Sequence, residues 1–184
     1  MKVVETPLEG CYIIEPNLFA DERGYFYESF NEQRFNELTH NNIHFVQDNQ
    51  SYSSYGVIRG LHAQKGASAQ SKLVRVVTGA VLDVAVDIRP ESKTFGQHIV
   101  VELSAENHKQ LFIPKGFLHG FAVISETATF CYKCDNYYDK RAEVGVAYND
   151  LTLNINWTIP ISEQIISEKD LLLPSFSILA SQIK

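Results

Sequence analysis

Cysteine is scarce in this 184-residue chain: Cys11, Cys131 and Cys134, an odd number. That excludes a disulfide framework and points to a reducing, cytoplasmic setting. Long apolar runs are also missing. The stretch 81–88 is cut by Asp83 and Asp87, and nothing approaches the roughly 18 apolar residues of a membrane-spanning helix. The opening Met1-Lys2-Val3-Val4-Glu5-Thr6-Pro7 carries no apolar core of an export signal, so no membrane partner is expected. Positive charge is in deficit, with 16 Lys+Arg against 22 Asp+Glu and a net charge of −6. No general nucleic-acid footprint is therefore expected, while a local basic pocket for a small anion stays open. Low-complexity sequence is absent too: 45% hydrophobic and 21% charged residues exclude a disordered or collagenous chain. A chain of this length builds one domain and buries its own core without disulfides or a structural metal.

What is present is a series of short runs rich in β-branched and aromatic residues, at 57–62, 72–77, 81–88, 99–103, 110–113, 121–124 and 128–134. Gly, Pro and Ser separate them, as in Thr78-Gly79, Arg89-Pro90 and Pro114-Lys115-Gly116. Strand-length runs at this spacing predict an all-β sandwich or barrel. One helix is predicted at 33–39, where Phe35 and Leu38 are three apart. Another short helix is predicted to begin near Ser104, capped toward Asn107, and the residues after Pro174 read as a short irregular or helical tail. With no repeat or linker, the reading is a single domain over 1–184. Its barrel core spans about 45–140, between an amino-terminal arm and a carboxy-terminal extension.

Alternation places Leu82, Val84, Val86 and Ile88 on one face of their run and Asp83, Ala85 and Asp87 on the other. The ordinary reading is a strand with one solvated face. The sharper one is that Asp83 and Asp87 look into a polar pocket inside a barrel. By the same rule His119, Phe121 and Val123 share a face, as do Phe130, Tyr132 and Cys134. A histidine or tyrosine among apolar neighbours is more often a satisfied core residue than a catalyst.

Cys131-Tyr132-Lys133-Cys134 has the spacing of a redox pair or half a zinc site. On a strand that spacing sends the thiols to opposite faces, and no second pair exists. Neither use is expected. The turn Pro114-Lys115-Gly116-Phe117-Leu118-His119-Gly120 resembles the second signature of the cupin barrels. Their first signature carries a His-x-His pair, and the matching place here reads Leu61-His62-Ala63-Gln64. His62 and His119 alone fall short of the ligands a catalytic metal uses, so a metal-free barrel is expected.

The wider pattern is more specific. Asp21-Glu22-Arg23-Gly24-Tyr25-Phe26-Tyr27-Glu28-Ser29-Phe30 is followed by Phe45-Val46-Gln47-Asp48-Asn49-Gln50-Ser51 and Arg59-Gly60-Leu61-His62. Gln70-Ser71-Lys72-Leu73-Val74-Arg75, Asp83-Val84-Ala85-Val86-Asp87, Tyr132-Lys133 with Asn136-Tyr137-Tyr138, and Ser167-Glu168-Lys169-Asp170 come later. In order and spacing these blocks resemble the dTDP-4-dehydrorhamnose 3,5-epimerase family, over about residues 4–174. The resemblance implies a cupin-type jelly-roll homodimer that inverts carbons 3 and 5 of dTDP-4-dehydro-6-deoxy-D-glucose, without metal or other cofactor. It implies His62 as general base in a dyad with Asp170, Tyr132 as general acid, and Lys72 near the keto oxygen. It implies that Arg23, Glu28, Gln47, Asn49, Arg59, His119, Glu143 and Lys169 contact the nucleotide sugar and that Tyr138 stacks on the thymine. Part of the amino-terminal set, including Arg23 and Glu28, is implied to come from a partner subunit through exchanged strands.

Residue chemistry agrees. Both carbons lie beside a carbonyl, so their protons leave only if charge spreads into an enolate. That needs a base on one face, an acid on the other and a cation near the oxygen. Histidine titrates near pH 6.5 and suits the base. Arginine suits a diphosphate through bidentate contacts. Each residue also has a plain structural reading: Lys72 as a strand-edge lysine, Arg59 as a surface charge, Asp170 as part of a helix start. Regular alternation puts Arg59 and His62 on opposite faces, unless Gly60 carries a bulge that restores convergence. Gln50, Ala63, the loop 65–68 and Phe112 depart from the family pattern. They flank the expected pocket and spare the acid, base and cation, bearing instead on sugar specificity and on how many centres invert. The rival readings are a carbon-3-only epimerase, a ketoisomerase, a metal-dependent cupin oxygenase and a non-catalytic sugar-binding cupin.

Overall fold

The β-branched and aromatic runs pair as antiparallel strands, and they are long enough to close two sheets over one interior. The computed structural model describes residues 1–183. The strands are β1 (Lys2–Glu5), β2 (Tyr12–Glu15), β3 (Phe19–Asp21), β4 (Gly24–Phe26), β5 (Gln47–Ser54), β6 (Ile58–Gln64), β7 (Lys72–Thr78), β8 (Ala80–Asp87), β9 (His98–Ser104), β10 (Gln110–Ile113), β11 (Phe117–Val123), β12 (Thr127–Cys134) and β13 (Glu143–Gly145). The helices are α1 (Glu32–Thr39), α2 (Glu168–Leu171) and α3 (Phe176–Ile183). One sheet has the order β1-β2-β10-β7-β12-β5, the other β13-β6-β11-β8-β9, while β3 and β4 form a separate hairpin. This is the expected all-β jelly roll with a few short helices. Among the described residues no helix is long and apolar enough to cross a membrane.

Every run read as a strand is one, with β11 starting earlier than expected, at Phe117. β5 escaped the sequence reading because Gln47-Asp48-Asn49-Gln50-Ser51 is polar on both faces. It is nonetheless paired with β12 along its whole length, from Gln47 opposite Cys134 to Ser54 opposite Thr127. Helix α1 is capped by Asn31, whose Oδ1 accepts from the Arg34 amide at 3.0 Å. Its buried pair is Phe35 and Thr39 rather than Phe35 and Leu38. The helix expected at Ser104 does not form. Ser104 Oγ accepts from the Asn107 amide at 3.0 Å and Asn107 Oδ1 accepts from the Ser104 amide at 3.1 Å, which closes a tight turn instead. Both side chains compete with a helix for the backbone.

The two sheets enclose Val74, Val76, Val81, Leu111, Phe121 and Phe130. A second cluster lies outside the five-stranded sheet. There Val84, Val86, Leu118 and Ala122 pack against Trp157, Ile159, Phe176 and Leu179 of the carboxy-terminal segment. β8 is thus covered on both sides, and the reading of a solvated face fails: Asp83 and Asp87 are both 0% exposed. Asp83 turns into the barrel. Asp87 does not serve a pocket. Its carboxylate accepts from Arg89, Ser92 and Thr94. Burial alone raises its pKa, but these bonds outweigh it and hold the group at about 2.

Gly60 breaks the alternation of β6. His62 lies opposite His119 and Arg59 opposite Phe121, so β6 spends one residue more than β11 over this interval. That is a bulge, and it turns Arg59 and His62 toward the same side. Gly60 has φ +126°, and a Cβ there would stand 2.6 Å from Gly120 Cα and 2.9 Å from the His119 carbonyl oxygen. Gly60→Ala is therefore expected to cost about 1–3 kcal/mol of stability, read from urea denaturation. An unchanged midpoint would refute the close-approach argument.

Candidate active site

The bulge in β6 opens onto a cavity between the sheets. One lobe, of about 520 Å3, is lined by Arg59, His62, Lys72, His119, Tyr132 and Asp170, among others. A second, of about 280 Å3, shares His62, Lys72 and Tyr132 and adds Gln47, Asn49, Tyr138 and Glu143. The walls differ in origin. His62 and His119 come from the five-stranded sheet, Lys72 and Tyr132 from the six-stranded one.

His62 Nε2–H donates to Asp170 Oδ1 at 2.7 Å. Asp170 is buried, and its Oδ2 accepts from the Gly60 amide at 3.3 Å. It sits in the short helix α2, capped by Ser167, whose Oγ accepts from the Asp170 amide at 3.1 Å. With Nε2 donating to a carboxylate, Nδ1 is the lone-pair nitrogen. Burial lowers the pKa of His62, and Asp170 opposes that shift.

Lys72 reaches in from β7 with its Nζ 5.8 Å from the Tyr132 ring centroid. Burial lowers the pKa of Lys72 and raises that of Tyr132. His119 Nε2 bonds both oxygens of Asp83, at 3.1 and 3.0 Å, and its ring lies nearly parallel to Phe130. Asp83 is the partner that sequence reasoning did not assign to the site, and its signal was the alternation of β8. Burial raises the pKa of Asp83 while His119 pulls it down.

At the mouth, Glu143 accepts from Lys169 Nζ at 2.7 and 2.8 Å and from the Tyr138 hydroxyl at 3.0 Å. Burial opposes ionisation of Glu143, but these bonds outweigh it and keep its pKa below the ordinary value. Gln47 Nε2 donates to Asn49 Oδ1 at 2.9 Å, and Arg59 Nε donates to Ser53 Oγ at 3.1 Å. Two expected residues are not brought in by this chain's own fold. Arg23 lies on the exposed β3–β4 turn and pairs with Asp21. Glu28 pairs with Arg34 at 3.1 Å. Cys131 and Cys134 diverge as alternation requires, and all three cysteines are free. Among the described residues no group of three His, Cys, Asp or Glu is placed to hold a metal ion.

The two sheets with this polar cavity between them have the cupin-type jelly-roll architecture. A family model described as dTDP-4-dehydrorhamnose 3,5-epimerase matches residues 5–177. The enzyme of that name from Salmonella typhimurium is 51% identical over 175 residues, 95% of this chain and 94% of the relative. The crystal structure of the one from Elizabethkingia anophelis NUHP1 is 59% identical, covers 97% of each chain and has a TM-score of 0.93. The dTDP-6-deoxy-D-glucose-3,5-epimerase of Legionella pneumophila, solved with dTDP-4-keto-L-rhamnose, is 45% identical with a TM-score of 0.94. That match covers 99% of this chain and 96% of the other. The chain belongs to the dTDP-4-dehydrorhamnose 3,5-epimerase family.

The folded state favours neutral His62, so this group stabilises the protein fully above pH 6.5 and loses that contribution as pH falls through and below it. An NMR titration is expected to place the His62 imidazole below 6.5, and Asp170→Asn, which removes the opposing charge, to move it lower still. A value above 6.5 in the unmodified protein would sink this account of the site.

Proposed function

We propose that this chain epimerises dTDP-4-dehydro-6-deoxy-D-glucose at carbons 3 and 5 to dTDP-4-dehydro-L-rhamnose, a step of dTDP-rhamnose biosynthesis. The observation that carries the reading is the 2.7 Å His62–Asp170 contact on one wall, with Tyr132 and Lys72 on the other. His62 Nδ1 takes the proton from a carbon beside the 4-keto group, and Asp170 supports the resulting imidazolium. The electron pair moves onto the keto oxygen, where the Lys72 ammonium stabilises the enolate. Donors of this kind contribute about 3–4 kcal/mol. Tyr132 then delivers its proton to the opposite face of the same carbon. The pair resets by returning the proton from His62 to solvent and taking one back at Tyr132. Burial suits both groups to their starting forms, since it favours a neutral imidazole and a protonated phenol.

The rest of the pocket suits the nucleotide. Arg59 and Lys169 supply positive charge for the diphosphate. The exposed Tyr138 ring offers a face for thymine stacking. Gln47, Asn49, His119 and Glu143 supply polar contacts to the nucleotide sugar. Arg23 and Glu28 join the site of a second copy, in a homodimer that exchanges amino-terminal strands. Supporting this, the β3–β4 hairpin leaves Phe19 64%, Tyr25 60% and Phe26 71% exposed, an apolar surface that a partner would cover. Three free cysteines suit a cytoplasmic setting.

The direct test is NMR of the substrate in heavy water. Deuterium is expected at both carbon 3 and carbon 5. Exchange at carbon 3 alone would make the chain a single-centre epimerase, and none at either would mean that the substrate is wrong or that the chain only binds. His62→Asn and Tyr132→Phe are each expected to slow exchange about 10²–10⁴-fold with modest loss of dTDP affinity. Mixing inactive Arg23→Ala and His62→Ala chains is expected to restore turnover. Persistent inactivity after subunit exchange would count against the shared site.

A further inference from the structure

Gln64 stands where the cupin signature would place its second histidine, two residues beyond His62 on the same side of β6. Its carboxamide is fully engaged with loop backbone. Nε2 donates to the Ser68 carbonyl at 2.6 Å and to the Tyr137 carbonyl at 3.2 Å, while Oε1 accepts from the Asp139 amide at 2.6 Å. The side chain is 8% exposed. Two of these partners immediately flank Tyr138, so one amide grips the backbone before and after that residue. The Tyr138 side chain has a single hydrogen bond, to Glu143, and is 56% exposed. The place of the ring is therefore set by its backbone together with that one contact.

We infer that Gln64 is a positioning residue for nucleotide recognition: it holds the Tyr137–Asp139 backbone so that the Tyr138 ring is in place before the base arrives. The inference rests on the reading that Tyr138 stacks on thymine. An exposed ring on a loose loop loses conformational freedom on binding, and a ring already fixed does not. His62 and Gln64 share one strand, so β6 also fixes the distance between the reacting sugar carbon and the base-stacking ring. The two neighbouring glutamines act in the same sense. Gln70 Nε2 donates to the Asn136 carbonyl at 2.7 Å and Gln47 Oε1 accepts from the Tyr138 amide at 3.3 Å. Gln64 alone reaches both sides of Tyr138.

The test is calorimetric titration of dTDP into the full chain and into Gln64→Met, Tyr138→Ala and the double variant. Tyr138→Ala is expected to weaken dTDP about tenfold. Gln64→Met is expected to weaken it about fivefold, and the double variant to match Tyr138→Ala within about twofold, because the first change acts through the second residue. With substrate, Gln64→Met is expected to raise KM while kcat falls less than about threefold. Losses that multiply in the double variant, or a fall in kcat with KM unchanged, overturn the inference. Weakened binding in Tyr138→Ala with none in Gln64→Met overturns it alone. Unchanged binding in Tyr138→Ala overturns the stacking reading and the inference with it. If Gln64→Met does not fold, Gln64→Glu keeps the acceptor for Asp139, loses both donations and carries the same test.

Discussion

A carboxylate 108 residues away in sequence holds the imidazole of His62, and much of the architecture serves that contact. The barrel alone presents His62 on one wall. The segment after β13 crosses the outside of the five-stranded sheet and anchors there through Trp157, Ile159, Phe176 and Leu179. Between the two anchoring pairs it passes the cavity as α2, where Ser167 caps the first turn and fixes Asp170. Asp170 also accepts from the Gly60 amide, so the same carboxylate ties the bulge to the ring. A single buried group thus joins the irregular point of β6, the imidazole and the carboxy-terminal layer. Removing one member of such a network leaves the others buried without partners.

The charge states inside the cavity follow from the burial of its groups. Burial acts on every group there in the direction of neutrality: down for His62 and Lys72, up for Tyr132 and Asp83. For the acid–base pair proposed above, His62 and Tyr132, this is a useful bias. A neutral imidazole accepts a proton and a protonated phenol gives one, so the environment that disfavours charge also prepares both for a proton's passage. The charge that persists is one with close partners: Lys169 and Tyr138 hold Glu143 below its ordinary pKa against burial.

Hydrophobic pattern made most of the barrel legible, and the places where it failed are informative. β5 was invisible because its residues serve the pocket instead of a core, so Gln47 and Asn49 carry no apolar signal. The face of β8 carrying Asp83 read as solvated or as lining a pocket, because alternation separates faces without saying what covers them. Here one face looks into a polar interior and the other lies under the carboxy-terminal layer. Arg59 and His62 converge only through an extra residue at Gly60, a local break that a period-two rule cannot foresee. Ser104 and Asn107 satisfied each other in a turn, which a capping pattern cannot distinguish from a helix start. The assignment of His62, Tyr132 and Asp170 to roles came from the resemblance to a family. Contact between residues 62 and 170 has no local signature, and long-range pairing is what sequence periodicity omits.

The origin of Asp170 has a consequence for how the protein is made. Chains grow from the amino terminus, and their folding units form as they emerge. All the strands from β5 to β12 are complete by Cys134, so they can pair before the segment bearing Asp170 has left the ribosome. At that stage the nascent chain would hold Lys72, His119 and Tyr132 around a hollow interior, with an unsupported imidazole. Support for His62 therefore comes last, after the cavity around it has formed.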